Sequence, residues 1–302
     1  MTRRFAILDV FTNEPLSGNP LAVVLDCDGL DDARMQAIAR EFNLSETVFV
    51  VPPTNPVHSL RARIFTPAYE LPFAGHPTVG TAALHALMAA RGGGEQKERV
   101  VLMEEEIGPV RCGVFLQDDR HAHGIFDLPR LSEPVETALD RDALAGALGL
   151  TVQEIGFENH EPSAFDAGVP YFFVPVRDLV ALEKATSDVA HWRRAFGTAE
   201  HAAAYVYTRQ ITRPDRHFRA RMFVPESIGE DPATGSAAAA FTGVVNRFDA
   251  LPNGSHRFVV EQGFEMGRPS LIVVEIDVMA SEVTSARIGG DAVLVAEGTL
   301  DA

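Results

Sequence analysis

Three side chains able to move or hold a proton stand where a folded chain could aim them at a ligand: Glu46, His76 and Asp231. His76 and Asp231 each come directly before a proline, in FAGHPTVGTAAL (73–84) and EDPATGSAAAAF (230–241). In each string a small-residue turn, a glycine and an Ala-rich apolar run follow. Proline suits the first position of a helix, where its missing N–H has no partner to lose. Both strings therefore read as loops feeding helix N-termini, and such an end presents about four unpaired N–H groups that favour an anion. Gly75, Gly80 and Gly235 would let a ligand approach the backbone, and Ser236 would add a hydroxyl donor. Asp-Pro is also an ordinary N-cap pair, which leaves Asp231 a purely structural reading. Histidine is a poor N-cap, and that mismatch tilts His76 towards chemistry. Glu46, in NLSETVFV, sits at a helix-to-strand junction; it either faces a cleft or is a solvated carboxylate at a strand end. A carboxyl in an apolar site, set beside donors fixed at a helix end, can shift a proton next to a carbonyl-like or conjugated centre.

The elements that must position these groups repeat. RARIFTP at 61–67 and RARMFVP at 219–225 agree at five of seven positions, and a helix mouth follows each. His76 comes nine residues after Pro67 and Asp231 six after Pro225, so the two are read as equivalents. The helices, expected at about 77–90 and 232–248, are apolar nearly all the way round and must be buried on all sides. Strands are expected at 5–11, 21–25, 47–51, 60–65, 99–103, 110–116 and 123–128, with a helix between the second and third whose apolar residues Met35, Ile38, Ala39 and Phe42 share one face. After Pro129 the pattern restarts: helices near 140–149 and 187–196, strands at 170–176, 203–208 and 219–225, then 256–261, 270–278, 284–289 and 292–297. Gly92, Gly93 and Gly94 stop the first buried helix. Many strands and few, central helices give an α+β fold rather than a doubly wound sheet. Two domains are expected, 1–128 and 129–302, each a pseudo-symmetric half; the last strand, about 291–302, packs back on the first.

Composition removes several classes. The 302 residues carry 26 basic and 42 acidic side chains, a net charge of −16 that repels nucleic acid and anionic lipid. No apolar run approaches a membrane span or a signal segment, so cytoplasmic residence is the default. Cys27 and Cys112 are too few for a disulfide framework and read as buried structural thiols. Asp118, Asp119, His121 and His123 read as a polar hairpin turn rather than a metal site. GxGxxG, P-loop, GxSxG and HExxH patterns are absent, which removes the common cofactor and hydrolase readings.

Taken together, FTNEPLSGNPLAVV, NLSETVFV, FTPAYELPFAGHPTVGTAAL, AGVPYFFVPV, EDPATGSAAAA and GRPS resemble the phenazine-biosynthesis F-type (PhzF-like) isomerase family. They span nearly the whole chain in order, and the pair GHPTVG with DPATGS is specific in combination. The resemblance implies the diaminopimelate-epimerase-like fold: two pseudo-equivalent halves, each a β-barrel wrapped around a central helix, with the site in the cleft between them. It implies that Glu46 is the general acid/base, flanked by His76 and Asp231. Asn19, Ser45, Gly75, Gly235 and Ser236 would bind a small carboxylic acid substrate. The family's best-known reaction, on trans-2,3-dihydro-3-hydroxyanthranilate, uses no metal and no organic cofactor, and its members are typically homodimers. The related epimerases carry a cysteine at each helix mouth; here those mouths carry His76 and Asp231, which excludes a thiol pair.

Three readings follow. The first is a cofactor-independent isomerase using Glu46. The second is a racemase or epimerase of a small acid, using Glu46 or Asp231 against His76. The third is a carboxylate-binding protein of the same fold without chemistry.

Overall fold

A helix with no polar face has to be enclosed, and in the computed structural model strands do the enclosing. The structure describes residues 1–93, 96–197, 202–225 and 228–302. They form two compact units, Met1–Pro129 with Arg287–Ala302, and Arg130–Ala286.

The first unit contains β1 (Thr2–Val10), β2 (Asn19–Val24), α1 (Asp32–Phe42), β3 (Glu46–Val51), β4 (Leu60–Phe65), β5 (Glu70–Leu71), α2 (Gly75–Arg91), β6 (Glu98–Glu105), β7 (Gly108–Leu116) and β8 (His121–Asp127). It is completed by the chain's last strand, β17 (Glu282–Asp301), from Arg287 onward. Hydrogen-bonded neighbours run β1–β2–β3–β4–β6–β7–β8–β17 and back to β1, a closed barrel. Two steps are parallel, β2 to β3 and β4 to β6. Parallel neighbours need a crossover, and here each crossover is a helix. α1 makes the first and packs Met35, Ile38 and Ala39 on Val24, Phe49 and Phe65. Asp31 caps its start by accepting from the Arg34 N–H, and Asn43 ends it in the left-handed region. α2 makes the second, touching β1, β2, β3, β6, β7 and β8, and every residue from Gly75 to Leu84 is buried.

The second unit contains β9 (Glu133–Pro134), α3 (Arg141–Leu148), β10 (Ser163–Asp166), β11 (Pro170–Pro175), α4 (Leu179–Lys184), α5 (Val189–Phe196), β12 (Ala204–Thr208), β13 (Phe218–Val224), β14 (Gly229–Asp231), α6 (Gly235–Asp249), β15 (Gly254–Gln262) and β16 (Ser270–Met279). Its neighbours run β9–β10–β11–β12–β13–β15–β16, with β11 to β12 and β13 to β15 parallel. α6 is the crossover from β13 to β15; it touches β9, β10, β11 and β16 and is buried from Gly235 to Val245. α3, α4 and α5 pack around Trp192 in a separate cluster. The α+β architecture of two pseudo-equivalent halves, each a sheet wound around a central helix, is the one expected.

The repeat is sharper in the structure than in the sequence. Phe65 pairs with Glu70 across β4 and β5, and Phe223 pairs with Glu230 across β13 and β14. Arg63 grips Glu70 through two bonds of 2.7 and 2.6 Å; Arg221 grips Glu230 through two of 2.8 and 2.9 Å. Such two-pronged pairs fix geometry as well as charge. Glu70 and Glu230 are thus equivalents, which makes Asp231 the counterpart of Leu71, and His76 that of Ser236.

Two further expectations are corrected. The buried helices start at Gly75 and Gly235, so neither Pro77 nor Pro232 is a first helical residue, and Asp231 ends a strand instead of capping a helix. The strands expected at 284–289 and 292–297 are one, because Gly289 lets β17 close on β8: a Cβ there would lie 2.6 Å from the Gly124 carbonyl oxygen. The stop expected at Gly92–Gly94 includes Gly94, which lies outside the described residues, as do positions 226–227. Both cysteines are free and buried, and burial pushes the Cys27 thiol up to about 12. Among the described residues no helix is long and apolar enough to cross a membrane. Since backbone is what a Cβ at 289 would strike, Gly289→Ala is expected to cost about 1–3 kcal/mol, read as a lower urea midpoint at unchanged slope. A midpoint equal to wild type would contradict the close approach.

Candidate active site

In the first unit, β2, β3 and α2 begin at one rim of the barrel. β2 and β3 are parallel with Leu21 opposite Glu46, so the first residues of both strands, Asn19 and Glu46, come out at the same edge. α2 opens there too: His76 Nδ1 lies 3.2 Å from Asn19 Nδ2 and 3.5 Å from Glu46 Oε2. Asn19 is fully buried, the His76 side chain is 3% exposed and that of Glu46 15%. Ser45 directly precedes Glu46, and Gly75 precedes His76 as the first helical residue. The residue before Gly75, Ala74, occupies the N-cap position and makes no side-chain cap, so the first turn has no hydroxyl or carboxylate of its own there.

Burial decides the charge of His76. It pushes the imidazole down to about 3, and the nearby Pro20 carbonyl, which favours a ring proton, opposes only part of that. The ring is therefore neutral at physiological pH, and its approach to Glu46 is a polar contact rather than an ion pair. Nδ1 faces the Asn19 side-chain amide, the Glu46 carboxyl and the Pro20 carbonyl; the other ring nitrogen is Nε2. That atom is buried and has no hydrogen-bond partner among the described residues.

The second unit gathers its own cluster at the mouth of α6. Thr234, at the N-cap position, donates from Oγ1 to Asp231 Oδ2 at 2.5 Å. Gln262, the last residue of β15, holds this turn on both sides. Its Oε1 accepts from the Thr234 N–H at 3.1 Å, and its Nε2 donates to the Asp231 carbonyl at 2.8 Å and to Thr234 Oγ1 at 3.1 Å. Ser236, second residue of the helix, shares a 2.7 Å hydrogen bond with the Tyr171 hydroxyl. Asp231 lies near enough to Tyr205 to raise its phenol, which burial pushes up further.

Glu46, His76, Asn19, Ser45 and Gly75 thus stand together in one unit, and Asp231, Gly235 and Ser236 in the other. Asn19, expected to bind substrate, has His76 within reach. Gly80, expected to admit a ligand, faces strands: a Cβ would lie 2.6 Å from Leu21 Cδ2 and 2.7 Å from Val10 Cγ2. Gln262, Thr234 and Tyr171 were not anticipated. Tyr171 could have been found as the polar member of the AGVPYFFVPV strand; Gln262 carries no sequence signal, because only strand register brings it to the helix. The histidines of the β7–β8 hairpin separate, His121 to Asp118 at 2.8 Å and His123 to Asp291 at 2.8 Å.

The model of the family described as "phenazine biosynthesis-like protein" matches residues 8–298. The chain belongs to this PhzC-PhzF family. An "uncharacterized isomerase" of Mesorhizobium japonicum is 52% identical to it over 303 residues, covering 99% of each chain. The trans-2,3-dihydro-3-hydroxyanthranilate isomerase of Pseudomonas aeruginosa is 35% identical over 301 residues, covering 98% of each. The crystal structure of a PhzF-family phenazine biosynthesis protein from Bacillus anthracis superposes with a TM-score of 0.87 over 100% of both chains, at 25% identity. With relatives so named along its whole length, the chain is a PhzF-like isomerase.

The state of His76 can be read directly. Its folded value, about 3, lies below the 6.5 of an exposed imidazole. Between those values the unfolded chain binds a proton that the native one does not. Relative to His76→Gln, wild-type stability should therefore fall as pH drops below about 6.5, approaching tenfold in the folding constant per pH unit. His76→Gln should lose that slope, and the His76 ring nitrogens should show no titration by NMR between pH 8 and 5. A ring titrating near 6.5 would contradict this picture.

Proposed function

We propose that this PhzF-like isomerase shifts a proton within a small unsaturated carboxylic acid, and that Glu46 takes and returns it. The observation that supports this most is the position of Glu46: 3.5 Å from a neutral, buried imidazole at the first turn of an enclosed helix. A carboxylate removes a proton from a C–H bond, and the electron pair moves into the neighbouring conjugated system. The carboxylic acid so formed then returns the proton to a different carbon. Negative charge grows on the substrate in between, and donors that need no reorganisation are worth most at that moment. The backbone N–H groups of the α2 first turn are such donors, and the neutral His76 ring carries one N–H beside them. A neutral imidazole donates without first trapping the substrate as a salt. Asn19, whose amide lies 3.2 Å from Nδ1, helps hold the ring in place.

Asp231 has a separate task in this proposal. Tied to Thr234 and flanked by Gln262, it is held in one orientation, as a group that recognises a substrate amine or hydroxyl must be. Ser236 and Tyr171 supply a hydroxyl pair for a carboxylate or a ring substituent. The compound named for the Pseudomonas aeruginosa relative, a dihydroanthranilate with amine, hydroxyl and carboxylate on one ring, carries all of these features and is the first substrate to try.

General acid/base groups contribute about 10²–10⁴-fold. Glu46→Gln should therefore lower kcat by at least about 10²-fold while ligand affinity, measured by calorimetry, stays within a few-fold. Asp231→Asn should act mainly on KM. A Glu46→Gln enzyme with near wild-type kcat would remove Glu46 from the reaction. Loss of optical rotation with no shift of a double bond would move the protein to the epimerases instead.

A further inference from the structure

Beneath the first turn of α2 lies a carboxyl that the proposed chemistry does not use. Glu105, the last residue of β6, is buried, and its Oε1 lies 2.6 Å from Thr78 Oγ1. Its Oε2 is buried with no hydrogen-bond partner among the described residues. Thr78 Oγ1 lies in turn 2.7 Å from the carbonyl oxygen of Ala74, the residue that caps α2. A hydroxyl has one proton to give, and a carbonyl oxygen can only accept. Were Glu105 ionised, Thr78 would face two acceptors and could serve only one. With a proton on Glu105, the carboxyl donates to Thr78 and Thr78 donates to Ala74, so both short contacts are hydrogen bonds.

The surroundings agree. Burial pushes the Glu105 carboxyl up to about 8, and Thr78 offsets only part of that. From β7 the titratable neighbour is Cys112, itself held as a thiol by burial. On β8, Asp127 bonds outward to Arg111, and on β6 itself Glu104 turns to the N–H groups of Thr54 and Asn55 and to His58. On α2 itself burial keeps His76, two residues before Thr78, neutral and lowers His85 as well.

The second half supplies an independent comparison. Arg61 of β4 stands opposite Glu104 of β6, and its counterpart Arg219 of β13 stands opposite Glu261 of β15. One residue further along each strand come Glu105 and Gln262, which makes them equivalents. Gln262 is a buried, uncharged side chain that both donates and accepts, and it ties down the residues leading into α6. We infer that Glu105 is a positioning residue for the mouth of α2, the counterpart of Gln262, whose proton holds the Ala74 carbonyl through Thr78 and so fixes the turn bearing Gly75 and His76. Its consequence for turnover rests on the function proposed above; its protonation does not.

Wild type, Glu105→Gln and Glu105→Ala full-length chains test this. Native Glu105 has its value near 8 and the unfolded chain near 4.5, so between them only the native state holds the proton. Stability of the wild type should fall as pH rises from about 5 to 8, approaching tenfold in the folding constant per pH unit relative to Glu105→Gln, and level off above. Glu105→Gln, which keeps a donor on the side chain, should retain wild-type kcat at pH 7 and lose any decline in kcat that the wild type shows near pH 8. Glu105→Ala should lower kcat by tenfold or more. Equal stability slopes in wild type and Glu105→Gln, or a Gln variant as impaired as the Ala variant, would overturn the inference. If no acid in the substrate panel is converted, the proposed function falls, and the stability slopes alone decide the case of Glu105. They also decide it if Glu105→Ala does not fold.

Discussion

An enclosed helix cannot hide the N–H groups of its first turn, and in the first unit nearly everything of chemical interest follows from that constraint. Wrapped by β1, β2, β3, β6, β7 and β8, α2 can offer those groups only at the rim of the barrel. Whatever stands beside them is stripped of water. An isolated charge in such a place costs several kcal/mol, whereas a hydrogen bond returns about one, so the groups there settle as neutral species. His76 is an uncharged imidazole for this reason. Glu46, on the strand end and somewhat more exposed, is the member of the cluster that reaches solvent. The result is a donor-rich, dry turn with a single carboxyl at its edge, which suits a reaction whose charge exists only in passing.

The two halves use one backbone plan for different ends. Thr47 and Ala204 lie opposite the equivalent residues Phe65 and Phe223, so Glu46 corresponds to Ala203. His76 corresponds to Ser236 and Leu71 to Asp231. A carboxyl thus stands at position 46 where the second half has Ala203, and a carboxylate tied to Thr234 stands at position 231 where the first half has Leu71. That asymmetry separates the chain from a symmetric two-base device, in which each helix mouth would carry its own proton-transfer group. Under the proposed function, the first of these carboxyls moves a proton and the second recognises a substrate group.

Much of this architecture was legible in the sequence because period and composition report on burial. Two Ala-rich runs without a polar face announced enclosed helices, and RARIF with RARMF announced a duplicated strand. What sequence could not supply was alignment between the halves. Their shared place directly before a proline equated His76 with Asp231; strand pairing equates Glu70 with Glu230 and moves the correspondence by five residues along the first half. The loops differ in length, and only the arginine clamps reveal where they rejoin. Gln262 and Glu105 were missed for a related reason. Each ends a strand distant in sequence from the turn it supports, and no local pattern marks it. The two strands expected at 284–289 and 292–297 are joined for another reason: Gly289 permits two strands to approach within a glycine's width.

The central claim, that a carboxyl at the rim of the first barrel carries a substrate proton from one carbon to another, is open to one direct measurement. The protein is incubated in heavy water with the dihydroanthranilate and related unsaturated acids, and carbon-bound hydrogen is followed by NMR. The account predicts that one compound is converted with deuterium entering at the single carbon that receives the proton. It also predicts that a chain with glutamine at position 46 gives no conversion and no label. Conversion that proceeds equally well with glutamine there, or a ligand bound tightly while the wild type exchanges nothing, would contradict it.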